Sequence, residues 1–127
     1  MAVRIQCKRA YDDEDPDDGY RVLVDRLWPR GLSKDQLRLD AWYKDLAPSG
    51  TLRKWFGHQV DRWPEFGERY RAELQTPEQR ERIRDLLNTA DQGHITLLYG
   101  AKDTEHNQAV ILAEEIAHAI ASKGDGK

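Results

Sequence analysis

Two short segments of the sequence carry polar side chains of the kinds that bind and activate small molecules. The first, 25–30, follows an aliphatic run, and the second, 100–103, joins another apolar run to a predicted helix. Arginine can hold a phosphate or carboxylate through two parallel hydrogen bonds, and a helix N-terminus adds partial positive charge. The two segments therefore predict a site for a small anionic ligand. Hydrolysis or group transfer would suit its polar groups.

The candidate residues divide by role. Proton transfer, and hence catalysis, is assigned to three groups that can exchange a proton, because carboxyl and imidazole groups act as general acids and bases. These are Asp25, Asp103 and His106. The residues assigned to ligand binding are Arg26, Trp28, Arg30, Lys102 and Asn107. Asp25 beside Arg26, and Lys102 beside Asp103, could equally form structural ion pairs, in which case the polar cluster only locks the fold.

Apolar patterning indicates the strands that must position these groups. Alternation from Val3 to Cys7 predicts an outer strand, whereas the continuous runs 22–24 and 95–99 predict strands buried on both faces. We expect the two buried strands to lie side by side and parallel. Alternation over 37–41 suggests a further extended segment. Because ligands collect beyond the carboxyl ends of parallel strands, the two polar segments should meet at one edge of the sheet.

Helical spacing of apolar residues separates these strands. A short helix follows Ser49 and ends at Gly57, which suits a left-handed cap. The next has Pro64 in its first turn, and a third begins with a capping box at Thr76. Strands joined through helices favour an α/β class fold, a small and largely parallel sheet flanked by helices in a single domain spanning 1–127.

The last helix is expected to start near Asp103 or Thr104, with apolar residues on one face from Ala109 to Ile120. That start places His106 in its first turn, facing the strand ends. The tail 122–127 should fray.

Composition narrows the classes of partner and compartment. The formal net charge of −3 disfavours general affinity for nucleic acid, and no apolar run is long enough to span a membrane. The acidic stretch 12–19 lacks apolar periodicity and is predicted to be an exposed loop. The N-terminus lacks a secretory h-region and the chain has one cysteine, so we expect a cytoplasmic protein. We expect no cofactor, and the histidine spacings match no compact metal site.

The four tryptophans suggest a rival function. Trp28, Trp42, Trp55 and Trp63 are interleaved with arginines and lysines. Aromatic and cationic side chains together can stack nucleobases, so a noncatalytic module that binds nucleic acid or a protein is the alternative to the anion pocket. The same residues can instead pack as core, with arginine stems covering the rings. Exposure of the tryptophans distinguishes the two interpretations.

Three strings in the chain resemble a known family. They are RVLVDRLWPRG at 21–31, Ala47-Pro48-Ser49 followed by Leu52-Arg53-Trp55-Phe56-His58, and LLYGAKD at 97–103 continuing to His106-Asn107. Over 4–120 the sequence resembles the YeaO-like proteins, the family called domain of unknown function number 488. The resemblance implies a bacterial α/β protein from a family with no established activity.

The resemblance also extends the set of candidate residues. The matching strings and their surroundings add Lys44, Ser49, Arg53 and His58 to the residues predicted to bind the ligand. Other branches of the broader family look to carry cysteine and histidine near the loop that here spans 99–107. This chain has no cysteine there, so the resemblance does not support a thiol or thiolate-metal mechanism.

Overall fold

The computed structural model describes residues 4–90 and 93–125, in which four parallel strands form one sheet. The strands are β1 (Arg4–Arg9), β2 (Tyr20–Leu23), β3 (Ala41–Trp42) and β4 (His94–Tyr99). They lie in the order β1-β4-β2-β3. The predicted α/β class and the single domain are therefore confirmed.

The two strands predicted to be buried neighbours occupy the middle of the sheet. β2 and β4 pair in parallel, with Val22 opposite Leu97 and Leu23 opposite Leu98, all fully buried. β1 lies at the edge of the sheet beside β4, as its alternating pattern predicted. Val3, the start of that pattern, lies outside the described residues. This order brings the carboxyl ends of β1, β4 and β2 to one edge.

The described residues form four helices, of which the first three follow the predicted signals closely. They are α1 (Gly50–Phe56), α2 (Trp63–Leu74), α3 (Pro77–Ala90) and α4 (Gln108–Asp125). The Ser49 hydroxyl accepts a hydrogen bond from the Leu52 amide at the start of α1, and Gly57 ends that helix in the left-handed conformation. Three single 3-10 turns, at Pro16–Asp18, Lys44–Leu46 and Val60–Arg62, complete the elements.

The predicted start of the last helix is wrong. α4 begins at Gln108, because the Asp103 carboxylate accepts hydrogen bonds from the amides of Glu105 and His106 and holds them in a turn. The Asn107 side chain then caps the helix by accepting from the Ala109 and Val110 amides. His106 therefore lies in the turn before the helix.

The two faces of the sheet are covered differently. All four helices contribute to one core cluster with Val22 and Leu97, through side chains such as Phe66 and Leu112. On the opposite face Leu23 and Leu98 pack against Leu37 and its neighbours in the irregular segment 28–39. The helices thus lie on one face, and a loop covers the other.

The acidic segment and the C-terminus also differ from simple loops. Residues 12–17 are exposed, but Asp18 is buried against Lys8 and Arg21. Helical geometry continues to Asp125, inside the tail predicted to fray. Residues 126–127 lie outside the described part of the chain.

Cys7 should react slowly with a thiol reagent in the folded protein. Its Sγ donates a hydrogen bond to the Ala109 carbonyl at 3.3 Å, and burial raises the pKa of the thiol to about 11. Because the thiolate is the nucleophile, we expect modification at pH 7.5 to be about a hundredfold or more slower than in urea-unfolded protein. Absorbance of a disulfide reagent measures both rates. Equal rates in the two states would show that the thiol is accessible.

Candidate functional site

A cavity of about 460 Å³ lies at the edge of the sheet where the polar segments were expected to meet. The segment after β2 forms one wall, the residues 100–101 after β4 form another, and α1 closes a third side. The carboxyl ends of adjacent parallel strands produce this meeting, as the sequence predicted. Eight of the predicted site residues line the cavity. They are Asp25, Arg26, Trp28, Arg30, Arg53, His58, His106 and Asn107.

Four other predicted site residues do not line this cavity. Ser49 caps α1, and its amide and hydroxyl both donate to the Glu73 carboxylate, at 2.9 and 2.6 Å. Lys44 places its Nζ 5.5 Å from the centre of the Trp42 ring. Lys102 is exposed. Asp103 holds the turn before α4.

Among the described residues that line the cavity, Asp25 carries the only carboxylate, and it is half-buried. It accepts a hydrogen bond from the Gly100 amide at 2.8 Å on one oxygen and from the Gln108 side chain on the other. Burial raises the pKa of the Asp25 carboxyl, although these hydrogen bonds and the charges of His58 and Arg53 act against the rise. The contacts fix Asp25 between the strand-end loop and the last helix.

The neighbouring opposite charges do not pair with one another. Within 4–90 and 93–125, neither Asp25 with Arg26 nor Lys102 with Asp103 forms a salt bridge. Arg26 instead donates to the carbonyls of Pro48 and Ala47, at 3.2 and 3.4 Å. The local ion pairs weighed as the alternative to a ligand site are therefore absent from this part of the chain.

Cationic side chains surround the mouth of the cavity. Arg30, Arg53 and Lys54 are exposed and line it, and none of the three forms a salt bridge in the described ranges. With Arg26 they set four permanent positive charges against Asp25. Such an excess gives the cavity a positive potential toward solvent.

The two histidines of the cavity are held in different ways. His58 follows the left-handed cap Gly57 and itself has φ of 60°, a strained conformation for a residue with a Cβ. The His106 Nδ1 lies 2.9 Å from the Asp103 carboxylate, and its ring meets Trp63 edge-on at 5.3 Å. Hydrogen bonds from the Glu105 and His106 amides lower the pKa of Asp103, which therefore stays ionised beside the ring.

Several cavity residues escaped the sequence-based prediction. Tyr11 follows β1 as Asp25 follows β2, so the strand-end rule predicts its place, and its hydroxyl donates to the Arg30 carbonyl at 2.8 Å. Phe56 and Phe66 also line the cavity and stack at 4.4 Å. Neither phenylalanine was among the predicted site residues.

The tryptophans make the contacts expected of packing residues. The indole N–H groups of Trp28 and Trp42 donate to the carbonyls of Leu32 and Asp25, at 2.6 and 2.7 Å. Trp28, Trp55 and Trp63 are half-buried, and Trp42 is 39% exposed. The guanidinium groups of two arginines lie over the Trp55 ring; these are Arg62 and Arg69. These contacts are the ones that the packing interpretation requires.

The described residues provide neither a cluster of metal ligands nor a membrane-spanning helix. In the described ranges, no group of three or more His, Cys, Asp or Glu side chains is placed to hold a metal ion. Across the same residues, no helix combines the length and the apolar character needed to cross a lipid bilayer.

Comparison with known proteins gives a consistent result. The chain is 49% identical over 113 residues to the uncharacterized protein YeaO of Escherichia coli, covering 88% of this chain and 96% of that protein. An uncharacterized protein of Mycobacterium tuberculosis is 40% identical over 112 residues, covering 88% and 92%. No solved structure matches. A family described as the inactive DUF488-N3 subclade matches residues 4–127. The chain therefore belongs to the DUF488 family, as the three strings predicted.

Proposed function

We propose that the strand-end cavity binds a small anionic molecule without converting it chemically. The observation that carries the proposal is the imbalance of charge among the lining residues that the structure describes, four arginine and lysine side chains against the single carboxylate of Asp25. Both oxygens of that carboxylate already accept hydrogen bonds from the chain itself. The exposed cations are left to attract an anion from solvent.

The volume of the cavity supports a small molecule as its ligand rather than a single ion bound at the surface. Sites for small molecules commonly have volumes of about 300–1,000 Å³ and combine apolar walls with a few polar groups. The cavity of about 460 Å³ falls in this range. Its walls include Leu27 and Pro29 beside Arg26 and Arg30. A ligand held there would contact both kinds of surface.

Binding without turnover is supported by two further observations. The matching family is described as inactive. Asp103, one of the three side chains predicted to transfer protons, does not line the cavity and is engaged by the turn and by His106. Asp25 and His106 do line it, so the measurement of binding is paired with an assay for hydrolysis.

Removing a rim cation should weaken anion binding. We expect Arg30→Ala and Arg53→Ala each to raise the Kd for inorganic phosphate by at least about tenfold, because each loses a charge-assisted hydrogen bond. Lys102→Ala is the matched control, since it deletes one nearby exposed positive charge outside the cavity. It should change the Kd by less than about twofold. Isothermal titration calorimetry measures all four proteins.

Three outcomes would contradict the proposal. The first is the absence of phosphate or sulfate binding to the parent protein at millimolar concentration. The second is an equal loss of affinity in Lys102→Ala and Arg30→Ala, which would indicate only long-range attraction. The third is steady hydrolysis of p-nitrophenyl phosphate that His106→Ala abolishes, because that result would establish turnover.

A further inference from the structure

The cavity has a buried aromatic floor beneath its charged rim. This arrangement restricts the chemical class of the ligand more than the positive charge of the cavity does by itself. Phe56 and Phe66 line the cavity but are only 6% and 2% exposed, so their rings form its deep surface. Arg30, Arg53 and Lys54 line the same cavity and are exposed. The two phenylalanines and the three exposed cations thus lie at different depths of the cavity.

We propose that the ligand is an organic anion with two parts. Its phosphate or carboxylate group lies among Arg30, Arg53 and Lys54, and its apolar body lies over Phe56 and Phe66. This inference rests on the proposed function, because it assumes that the same cavity binds the ligand. It adds the chemical class and the orientation of that ligand.

Asp25 supports the orientation. Its carboxylate lines the cavity, is half-buried, and is fixed by the Gly100 amide and the Gln108 side chain. A phosphate or carboxylate placed next to it would meet a like charge that cannot move away. The anionic group is therefore directed toward the exposed cations, and the end of the ligand near Asp25 is neutral.

The volume and the aromatic surface support the apolar body. An inorganic phosphate at the rim occupies a small part of a cavity of about 460 Å³ and leaves the apolar lining, which includes Leu27 and Trp28 as well as the small exposed part of the two phenyl rings, in contact with water. Removing apolar surface from water is favourable in proportion to the area buried. Flat rings also stack on aromatic side chains. A ligand that reaches the floor gains affinity that phosphate alone does not.

The test compares anions with and without an apolar body. Inorganic phosphate, methyl phosphate and phenyl phosphate are titrated at pH 8 into the parent protein, and acetate and benzoate form a parallel pair for carboxylates. We expect phenyl phosphate to bind at least about tenfold more tightly than methyl phosphate, because a phenyl ring buries more apolar area than a methyl group. The tighter binder of phenyl phosphate and benzoate identifies the preferred anionic group.

A floor variant locates the effect. Phe56→Leu keeps an apolar side chain but removes the ring, so it should reduce the preference for phenyl over methyl phosphate at least about threefold. Val60→Ala is the control, since Val60 is exposed and lies outside the cavity lining. Thermal melts confirm that each variant is folded. If Phe56→Leu does not fold, the ratio measured on the parent protein decides alone.

The outcomes separate the two proposals. Equal affinity for all three phosphates, with no preference for benzoate over acetate, would overturn the organic ligand and leave the anion site standing. The absence of binding by any of the five anions would overturn both. A Phe56→Leu variant that loses inorganic phosphate as strongly as phenyl phosphate would show that the floor does not contact the apolar body, and would overturn the proposed orientation.

Discussion

Asp18→Ala is expected to lower the free energy of unfolding by about 3–5 kcal/mol, because it leaves a buried positive charge without its partner. Asp18 is 1% exposed, and its carboxylate accepts hydrogen bonds from Lys8 and Gln6 at 3.1 and 3.3 Å. The Arg21 guanidinium, 4% exposed, also donates to it. Among the described residues, the Arg21 guanidinium then keeps a hydrogen bond to the Arg38 carbonyl alone.

Urea denaturation measures this loss directly. Asp17→Ala is the matched control, because Asp17 carries the same charge in the same turn but is exposed. Its effect should stay within about 0.5 kcal/mol of the parent, as is usual for surface substitutions. Losses of equal size in the two variants would show that Asp18 acts only through the net charge of the turn.

Lowering the pH should reduce the difference in unfolding free energy between the parent protein and Asp18→Ala. Burial raises the pKa of the Asp18 carboxyl, but hydrogen bonds from the Asp15 amide, Lys8 and Arg21 outweigh it and bring the pKa below 3.8. A pKa lowered by folding contributes stability that is present above the ordinary pKa and is lost as the pH falls through the folded value. The difference in unfolding free energy should therefore shrink below about pH 4.

The position of this buried network helps to distinguish a structural role from a ligand-binding role for the charged residues at the strand ends. Charged neighbours in sequence suggested that Asp25 with Arg26 could lock the fold, yet the most deeply buried charged residues of the described chain are Asp18 and Arg21, which pair with each other. Successive side chains of an extended chain point in opposite directions, so adjacent residues rarely face each other there. The buried ion network of the fold is therefore distinct from the cavity, whose exposed cations remain available to a ligand.

The sheet could be predicted from the sequence because each strand is recognised from the pattern of apolar residues within the strand itself. Continuous apolar runs identified β2 and β4 as buried neighbours, and alternation identified β1 as the edge strand. In the loop that covers the second face, alternation over 37–41 suggested only a further extended segment, so the pattern did not indicate that Leu37 would pack beneath the sheet. The start of α4 was missed because the side chain of Asp103 competes for backbone amides that a helix would use.

The sequence predicted residues of the candidate site that come directly after a strand. That rule placed Asp25 and Arg30 correctly at the edge of the sheet. It could not place Phe56 or Lys54, which reach the cavity only because α1 packs across this edge. Lys102 was predicted to bind the ligand because it closely follows β4 in sequence, but it does not line the cavity. The floor and rim depend on tertiary packing that a single sequence does not encode locally.

Gly19→Ala should be at least as disruptive as the loss of Asp18, through backbone crowding rather than charge. Gly19 has φ of 68° and ψ of −129°, a conformation open almost only to glycine. A Cβ at this position would lie 2.7 Å from the Cβ of His94 and still closer to its carbonyl oxygen. Real Cβ contacts are essentially never this short, so β2 and β4 would have to separate where they begin to pair.

A comparison with Gly31→Ala separates the cost of the positive φ at Gly19 from the cost of the close contact with His94. Gly31 also has positive φ, 83°, but a Cβ there meets nothing within 4 Å, so the variant should lose only about 1–2 kcal/mol of unfolding free energy. Gly19→Ala should lose at least about 2 kcal/mol more, the cost of forcing atoms into a packed site. Urea denaturation of both variants measures the difference. Equal losses would mean that the backbone conformation alone selects glycine at position 19, and that the close approach of the two central strands contributes nothing to that choice.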